Sequence, residues 1–194
     1  MNKQILRSKM KNKRLSLDKQ ERAKMDKSIT QTALDIIKSY DEVLCYVSSD
    51  IEVDTRELLN VLFDDKSKTI LVPRCESKSN IMFFYPISGY NDLEKGHYGI
   101  LEPKAHIKRQ GLFSNNSCCI VPALCYDERG YRVGFGKGFY DRFLNTYVGA
   151  KIGLCYSNCI VSQIDNDNTD IKADIIITER SVSYINERKI TSDG

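Results

Sequence analysis

The sequence predicts an α/β fold on three observations. Apolar runs of strand length alternate with helix-like segments, the first 38 residues carry helical periodicity, and no repeat or low-complexity stretch interrupts the pattern. A chain of 194 residues suits one domain with a substantial core. Hydrophobic residues at 41% and charged residues at 28% are ordinary globular values, so composition signals neither disorder nor a fibre. The longest apolar runs, such as "CCIVPALCY" and "DIIIT", fall well below the roughly 20 residues of a membrane helix, and no leader pattern opens the chain. The expected location is the cytoplasm.

In chain order, Ile5, Leu6 and Met10 form one apolar stripe, and Ala23, Ile29, Ala33, Leu34, Ile36 and Ile37 a second. "LSLDKQ" breaks the run into two helices, with Ser16 or Asp18 as the cap. "EVLCYV" (42–47) reads as a strand, "TRELLNVLF" (55–63) as an amphipathic helix, and "TILVP" (69–73) and "NIMFFYPI" (80–87) as strands. The last is expected to be mainly core, with Phe84 or Tyr85 available to a ligand. Residues 88–116 read as a long surface excursion with "YGILEP" embedded in it, a place where function often resides. "CCIVP" (118–122) is a buried strand and "GFYDRFLNTYV" (138–148) starts a helix. "AKIGLCY" (150–156) and "DIIIT" (174–178) complete the sheet, which should carry helices on both faces.

Seven cysteines without CxxC spacing argue against a disulfide framework; Cys45, Cys118, Cys119 and Cys155 lie in strand-like runs, where a thiol acts as a small hydrophobe. The only two histidines, His97 and His106, lack zinc-ligand spacing. "DNDNTD" (165–170) imitates a calcium loop, but Asp170 stands where glycine is needed and Ile176 where the closing glutamate belongs. Residues 1–27 hold ten Lys or Arg against three Asp or Glu in a chain of net charge only +3. A nucleic-acid grip could use that segment, but no RRM, KH or helix-turn-helix signature accompanies it.

The stretch richest in chemistry is "GYRVGFGKGFYDRFL" (130–144). Gly134, Gly136 and Gly138 fall one residue short of GxGxxG, and Lys137 is followed by glycine rather than Ser or Thr, so neither the dinucleotide fingerprint nor the P-loop fits. What remains is the physics of an anion cradle. Glycines let backbone N–H groups approach phosphate, Arg132 and Lys137 flank them, and a helix starting near Gly138 adds its dipole. Asp141 beside bound phosphates stands where a magnesium ligand is wanted, or else merely favours the helix dipole.

"VPALCYDERGYRVGFGKGFYDRFL" (121–144) resembles the signature of the 5-formyltetrahydrofolate cyclo-ligase family, with Pro122, Asp127, Gly130, Arg132, Gly134, Gly136, Gly138, Tyr140, Asp141 and Leu144 on its positions. "KQILR" (3–7), "VSSDIEVDT" (47–55), "GILEP" (99–103), "SQI" (162–164) and "DIIITE" (174–179) match further family segments in order. Ala123, Cys125, Tyr126, Phe135 and Phe139 depart from the signature without changing its chemistry. The resemblance implies a three-layer α/β/α sandwich with a Rossmann-like sheet, of the kind seen in the ribose-phosphate isomerase and CoA-transferase group. It also implies one domain over 1–194: basic N-terminal helices (1–39), an α/β core (40–186) and a short tail (187–194).

The implied activity is MgATP-dependent cyclisation of 5-formyltetrahydrofolate to 5,10-methenyltetrahydrofolate. The implied ATP site comprises Lys3, Gln4, Ile5, Leu6 and Arg7 with Arg132, Val133, Gly134, Phe135, Gly136, Lys137, Gly138, Phe139 and Tyr140, so the N-terminal helix should fold back onto the glycine loop. Arg132 and Lys137 are the implied catalytic cations, Val47, Glu52 and Tyr140 contact folate, and Asp141 and Asp174 are the implied magnesium ligands. The expected partners are the folate and ATP alone, with neither nucleic acid nor membrane, on a monomer or weak dimer. A folate-binding protein of the same fold without turnover is the rival reading, against which Arg132, Lys137 and Asp141 speak.

Overall fold

The computed structural model describes residues 1–76, 79–96 and 99–185. His97, Tyr98 and the expected tail 187–194 lie outside the described residues. Two helices open the chain, α1 (Lys3–Leu15) and α2 (Lys19–Ile37). Their junction is set by capping. Asp18 accepts from the Gln20 and Glu21 backbone N–H groups and starts α2, whereas Ser16 closes α1. Asn2 caps α1 in the same way, accepting from Gln4 N at 2.8 Å.

The remaining elements are β1 (Glu42–Leu44), α3 (Arg56–Asp64), β2 (Thr69–Glu76), β3 (Ile81–Ile87), β4 (Leu93–Lys95), β5 (Leu101–Pro103), β6 (Ser117–Val121), β7 (Cys125–Asp127), β8 (Arg132–Val133), α4 (Phe139–Leu144), β9 (Ala150–Leu154), β10 (Ile160–Val161), β11 (Ile175–Ile177) and β12 (Val182–Tyr184). Seven strands form the main sheet in the order β12-β11-β9-β6-β1-β2-β3. The inner five are parallel and the two edge strands antiparallel. Pro86 sits in edge strand β3, and Pro73 lies beyond the last residue of β2 paired to β1; at neither place does a missing N–H break an interior ladder. A three-stranded sheet (β10-β7-β8) and the β4–β5 hairpin stand apart from it. The hairpin lies inside the segment read as a surface excursion.

Strand alternation splits the core in two. Val43, Cys45, Ile70, Val72, Cys118 and Ile120 face one side with Ile29, Ala33 and Ile37 of α2 and Leu58, Leu59 and Leu62 of α3. Leu44, Leu71, Cys119 and Val121 face the other, with Met82, Phe84, Leu144 and Tyr147. The expected helices on both faces are therefore unequal. α1–α3 share one side, while the other is covered by the six-residue α4 and a ring cluster in which Phe143 meets Phe84 at 4.6 Å and Tyr147 at 5.3 Å. The first stripe also needs correction. Leu6 and Met10 are buried but Ile5 is 68% exposed, because a neighbour in sequence is turned about 100° around a helix. Ala23 is exposed as well.

All seven cysteines are free thiols and six are buried. Burial raises the thiols of Cys118, Cys125 and Cys155 to about 12 each, as expected of small hydrophobes. Among the described residues no helix is long and apolar enough to cross a membrane.

Candidate active site

From β1 the chain runs outward through β2 to β3, then returns to place β6 on the opposite side of β1. That reversal leaves a crevice beyond the carboxyl ends of β1 and β6, where open α/β sheets bind ligands. A cleft of about 410 Å³ occupies it, with Tyr46 and Val47 following β1 and Pro122 following β6.

One end of the cleft is the glycine loop, whose residues 132–141 all line it. Gly136 (φ +95°) and Gly138 (φ +66°) hold left-handed backbone, which exposes their peptide groups at little cost. α1 lies against this loop: Arg7 Nε donates to Gly134 O at 3.0 Å, and a Cβ on Gly136 would stand 3.2 Å from Arg7 Cζ. Arg132 is 7% exposed, donating through Nη2 to Asp141 Oδ1 and through Nη1 to Ile171 O, both at 2.6 Å. Lys137 is exposed, and its ammonium has no hydrogen-bond or ion-pair partner among the described residues. α4 begins at Phe139 as expected but spans only six residues, so the cradle relies on peptide groups and cations more than on a helix dipole.

The other end is apolar, lined by Val47, Pro73, Met82, Ile100 and Leu101. Met82, rather than Phe84 or Tyr85, is the β3 side chain that reaches it. Glu52 sits here 7% exposed, its Oε2 accepting from Ser49 N at 2.7 Å and Ser49 Oγ at 2.8 Å. Burial pushes its carboxyl up, partly opposed by those two bonds. Tyr140 joins the two ends. Its hydroxyl is buried without a hydrogen-bond partner, and burial pushes its phenol well above the ordinary value.

The loop bearing Glu52 is gripped by the N-terminal helices. Arg14 Nη1 donates to Ile51 O at 2.8 Å, Arg22 Nη2 to Glu52 O at 2.7 Å, and Arg22 Nη1 to Asp50 O. Arg14 Nη2 reaches Ala123 O at 2.7 Å, next to Pro122. Part of the basic N-terminal charge is thus spent on backbone carbonyls inside the molecule, not displayed for nucleic acid.

Of the expected nucleotide residues in α1, Lys3 and Arg7 line the cleft, being one turn apart. Gln4, Ile5 and Leu6 do not: the first two are exposed elsewhere and Leu6 is in the core. Asp141 is in the cleft; Asp174 is not. Asp174 precedes β11, at the amino ends of the parallel strands, and its Oδ2 accepts from Lys151 N at 2.8 Å. Sequence reasoning missed three residues of "DNDNTD". Asp167, Thr169 and Asp170 line the cleft, and Asp170 pairs with Lys3 Nζ at 2.5 Å. The signal available was an acidic run in a chain whose amino end is strongly basic. Among the described residues no group of three or more His, Cys, Asp and Glu side chains is arranged to hold a metal ion.

The 5-formyltetrahydrofolate cyclo-ligase family profile matches residues 1–179. The 5-formyltetrahydrofolate cyclo-ligase of Saccharomyces cerevisiae is 30% identical, covering 90% of this chain and 94% of its own length. That of Haemophilus influenzae is 24% identical over 87% of this chain and 92% of its own. The solution structure of Aquifex aeolicus 5,10-methenyltetrahydrofolate synthetase superposes with a TM-score of 0.82 at 29% identity, covering 96% of this chain and 94% of that one. The Mycoplasma pneumoniae synthetase, at 23% identity and a TM-score of 0.73, shares the fold. A profile that spans the sheet, the glycine loop and the folded-back helix alike leaves one conclusion: this chain belongs to the 5-formyltetrahydrofolate cyclo-ligase family.

Proposed function

We propose that this protein cyclises 5-formyltetrahydrofolate to 5,10-methenyltetrahydrofolate at the expense of ATP, releasing ADP and phosphate. The observation that carries the reading is a single cleft with a cationic glycine loop at one end and an apolar wall with a buried carboxylate at the other. That arrangement suits two ligands of opposite character placed end to end.

ATP phosphates are assigned to the peptide groups of Gly134–Gly138 with Lys137, Arg7 and Lys3; the pterin lies against Val47 and Tyr140 with its donor edge on Glu52. A formamide oxygen is a poor leaving group. Transfer of the γ-phosphoryl group forms an O–P bond to the formyl oxygen and breaks the bond to ADP. The N10 lone pair then attacks the formyl carbon, the C–O bond to phosphate breaks, and the N10 proton passes to solvent. No protein nucleophile is required. Catalysis rests on holding the reacting atoms together and on Arg132 and Lys137 neutralising charge as the phosphoryl group moves.

Magnesium bound with ATP supplies further neutralisation of the phosphates. The donors present fit an ion held mainly by phosphate and water, with Asp141 giving one carboxylate. Asp174, occupied with Lys151 at the far ends of the strands, is left out of this assignment. We read the chain as one cytoplasmic domain, in keeping with one continuous main sheet, acting as a monomer or weak dimer.

The test is purified protein mixed with 5-formyltetrahydrofolate and MgATP, followed by the near-ultraviolet absorbance of the methenyl product, beside ATP-free and Lys137→Ala controls. ATP-dependent product that falls at least a hundredfold in the variant is expected, the loss of one well-placed charge in phosphoryl transfer being about that size. Tight folate and ATP binding with no wild-type product would instead mark a binding protein.

A further inference from the structure

Glu102 stands in β5 of the β4–β5 hairpin, which packs against β2, and its side chain lines the cleft beside Ile100 and Leu101. It is only 8% exposed, yet among the described residues its carboxylate has no hydrogen bond and no ion pair. The neighbouring cation is engaged elsewhere: Arg74 Nη2 pairs with Glu94 Oε1 at 3.4 Å and donates to Pro103 O. The pose is built into the backbone, since a Cβ at Gly96 would come within 2.2 Å of Glu102 Oε2. Its charge reaches the wall of the cleft, where the Cys75 thiol is raised to about 11 by burial first and by Glu102 second.

Its carboxylate oxygens are not sealed inside the protein but open on the cleft, presenting acceptor capacity that no protein donor takes up. Glu52 differs, having Ser49 on its Oε2. We propose that Glu102 is a second substrate anchor, its carboxylate accepting a hydrogen bond from an N–H of the bound reduced folate that Glu52 does not serve. This rests on the cyclo-ligase reading. A reduced pterin carries donors on more than one edge, and two acceptors on separate elements, the 48–55 loop and the hairpin, fix both its position and its rotation within the plane. Glu102 thereby helps select a reduced, hydrogen-bearing folate over ligands that offer only one donor edge.

The experiment measures equilibrium binding of 5-formyltetrahydrofolate by fluorescence, binding of a non-hydrolysable ATP analogue, and KM and kcat, for wild type, Glu102→Ala and Glu102→Gln. Loss of a hydrogen bond to a charged group predicts folate binding weaker by about ten- to a hundredfold in Glu102→Ala, with nucleotide binding within twofold. Glu102→Gln keeps an acceptor oxygen and should recover most of the affinity; a residue that only braces the hairpin would show no such rescue. Folate affinity unchanged in Glu102→Ala, or equal loss of folate and nucleotide binding, would overturn the inference while leaving the reaction intact. Wild-type protein that binds no 5-formyltetrahydrofolate would remove the cyclo-ligase reading and this inference together.

Discussion

Replacing Arg14 by methionine should lower thermal stability and loosen the folate loop at once. The guanidinium is 2% exposed and has no carboxylate partner; it is held by Ile51 O at 2.8 Å and Ala123 O at 2.7 Å, and lies 5.2 Å from the Tyr156 ring centre. Two hydrogen bonds from a charged donor are worth about 1.5–3 kcal/mol each, so about 3–6 kcal/mol of interaction disappears. Removing a buried charge whose Nε has no partner returns part of that, because the folded state no longer bears its desolvation, and methionine fills most of the stem volume. The net loss is about 2–3 kcal/mol. At 2–4 °C per kcal/mol for a chain of this size, Tm should fall by about 5–10 °C in a calorimetric melt. Ile51 precedes Glu52, so KM for 5-formyltetrahydrofolate should rise several-fold in the same variant. A Tm within 2 °C of wild type would refute the reasoning, since burying the cation would then cost as much as its bonds return.

Two further outcomes follow from the cleft. Gly136→Ala forces a Cβ onto backbone at φ +95° and to 3.2 Å from Arg7 Cζ; strain of about 1–2 kcal/mol in an exposed loop should raise KM for ATP about tenfold, read by steady-state kinetics, while Tm moves by no more than a few degrees. Glu52 has its carboxyl raised above the ordinary 4.5 by burial, so it takes up a proton at a higher pH when folded than when unfolded. Its contribution to stability is therefore present at low pH and lost as pH rises through the folded value, whereas its ability to accept from the pterin is lost as pH falls through the same value. Folate affinity measured by titration should begin to weaken above pH 4.5 on acidification, and Glu52→Gln should abolish that inflection.

Much of this architecture could be read from local pattern. The Asp18 cap, the buried strands around Cys118 and Ile152 and the return of α1 to the glycine loop each rest on residues close in sequence or on an ordered set of motifs. The strands that escaped notice, β4, β5, β7, β8, β10 and β12, are two or three residues long, too short for alternation to register. Asp174, named through the family resemblance, lies at the amino ends of the parallel strands and not among the cleft residues, a placement that sequence position alone does not give. Glu102 and the Asp167–Asp170 turn were illegible as site residues for another reason: their meaning depends on partners, or the lack of them, that only the folded chain brings near.

The pairing of Lys3 with Asp170, 167 positions apart, and of Arg7 with Gly134, 127 apart, has a kinetic consequence. During synthesis α1 emerges well before the glycine loop and the Asp170 turn, so its Lys3 and Arg7 contacts stay open until those segments have followed. Contacts of such long range close late, after the sheet that brings them together, because chain entropy must be lost before they return anything. Recovery of catalysis during refolding should therefore lag recovery of helical signal, making turnover a clock for the final step of assembly.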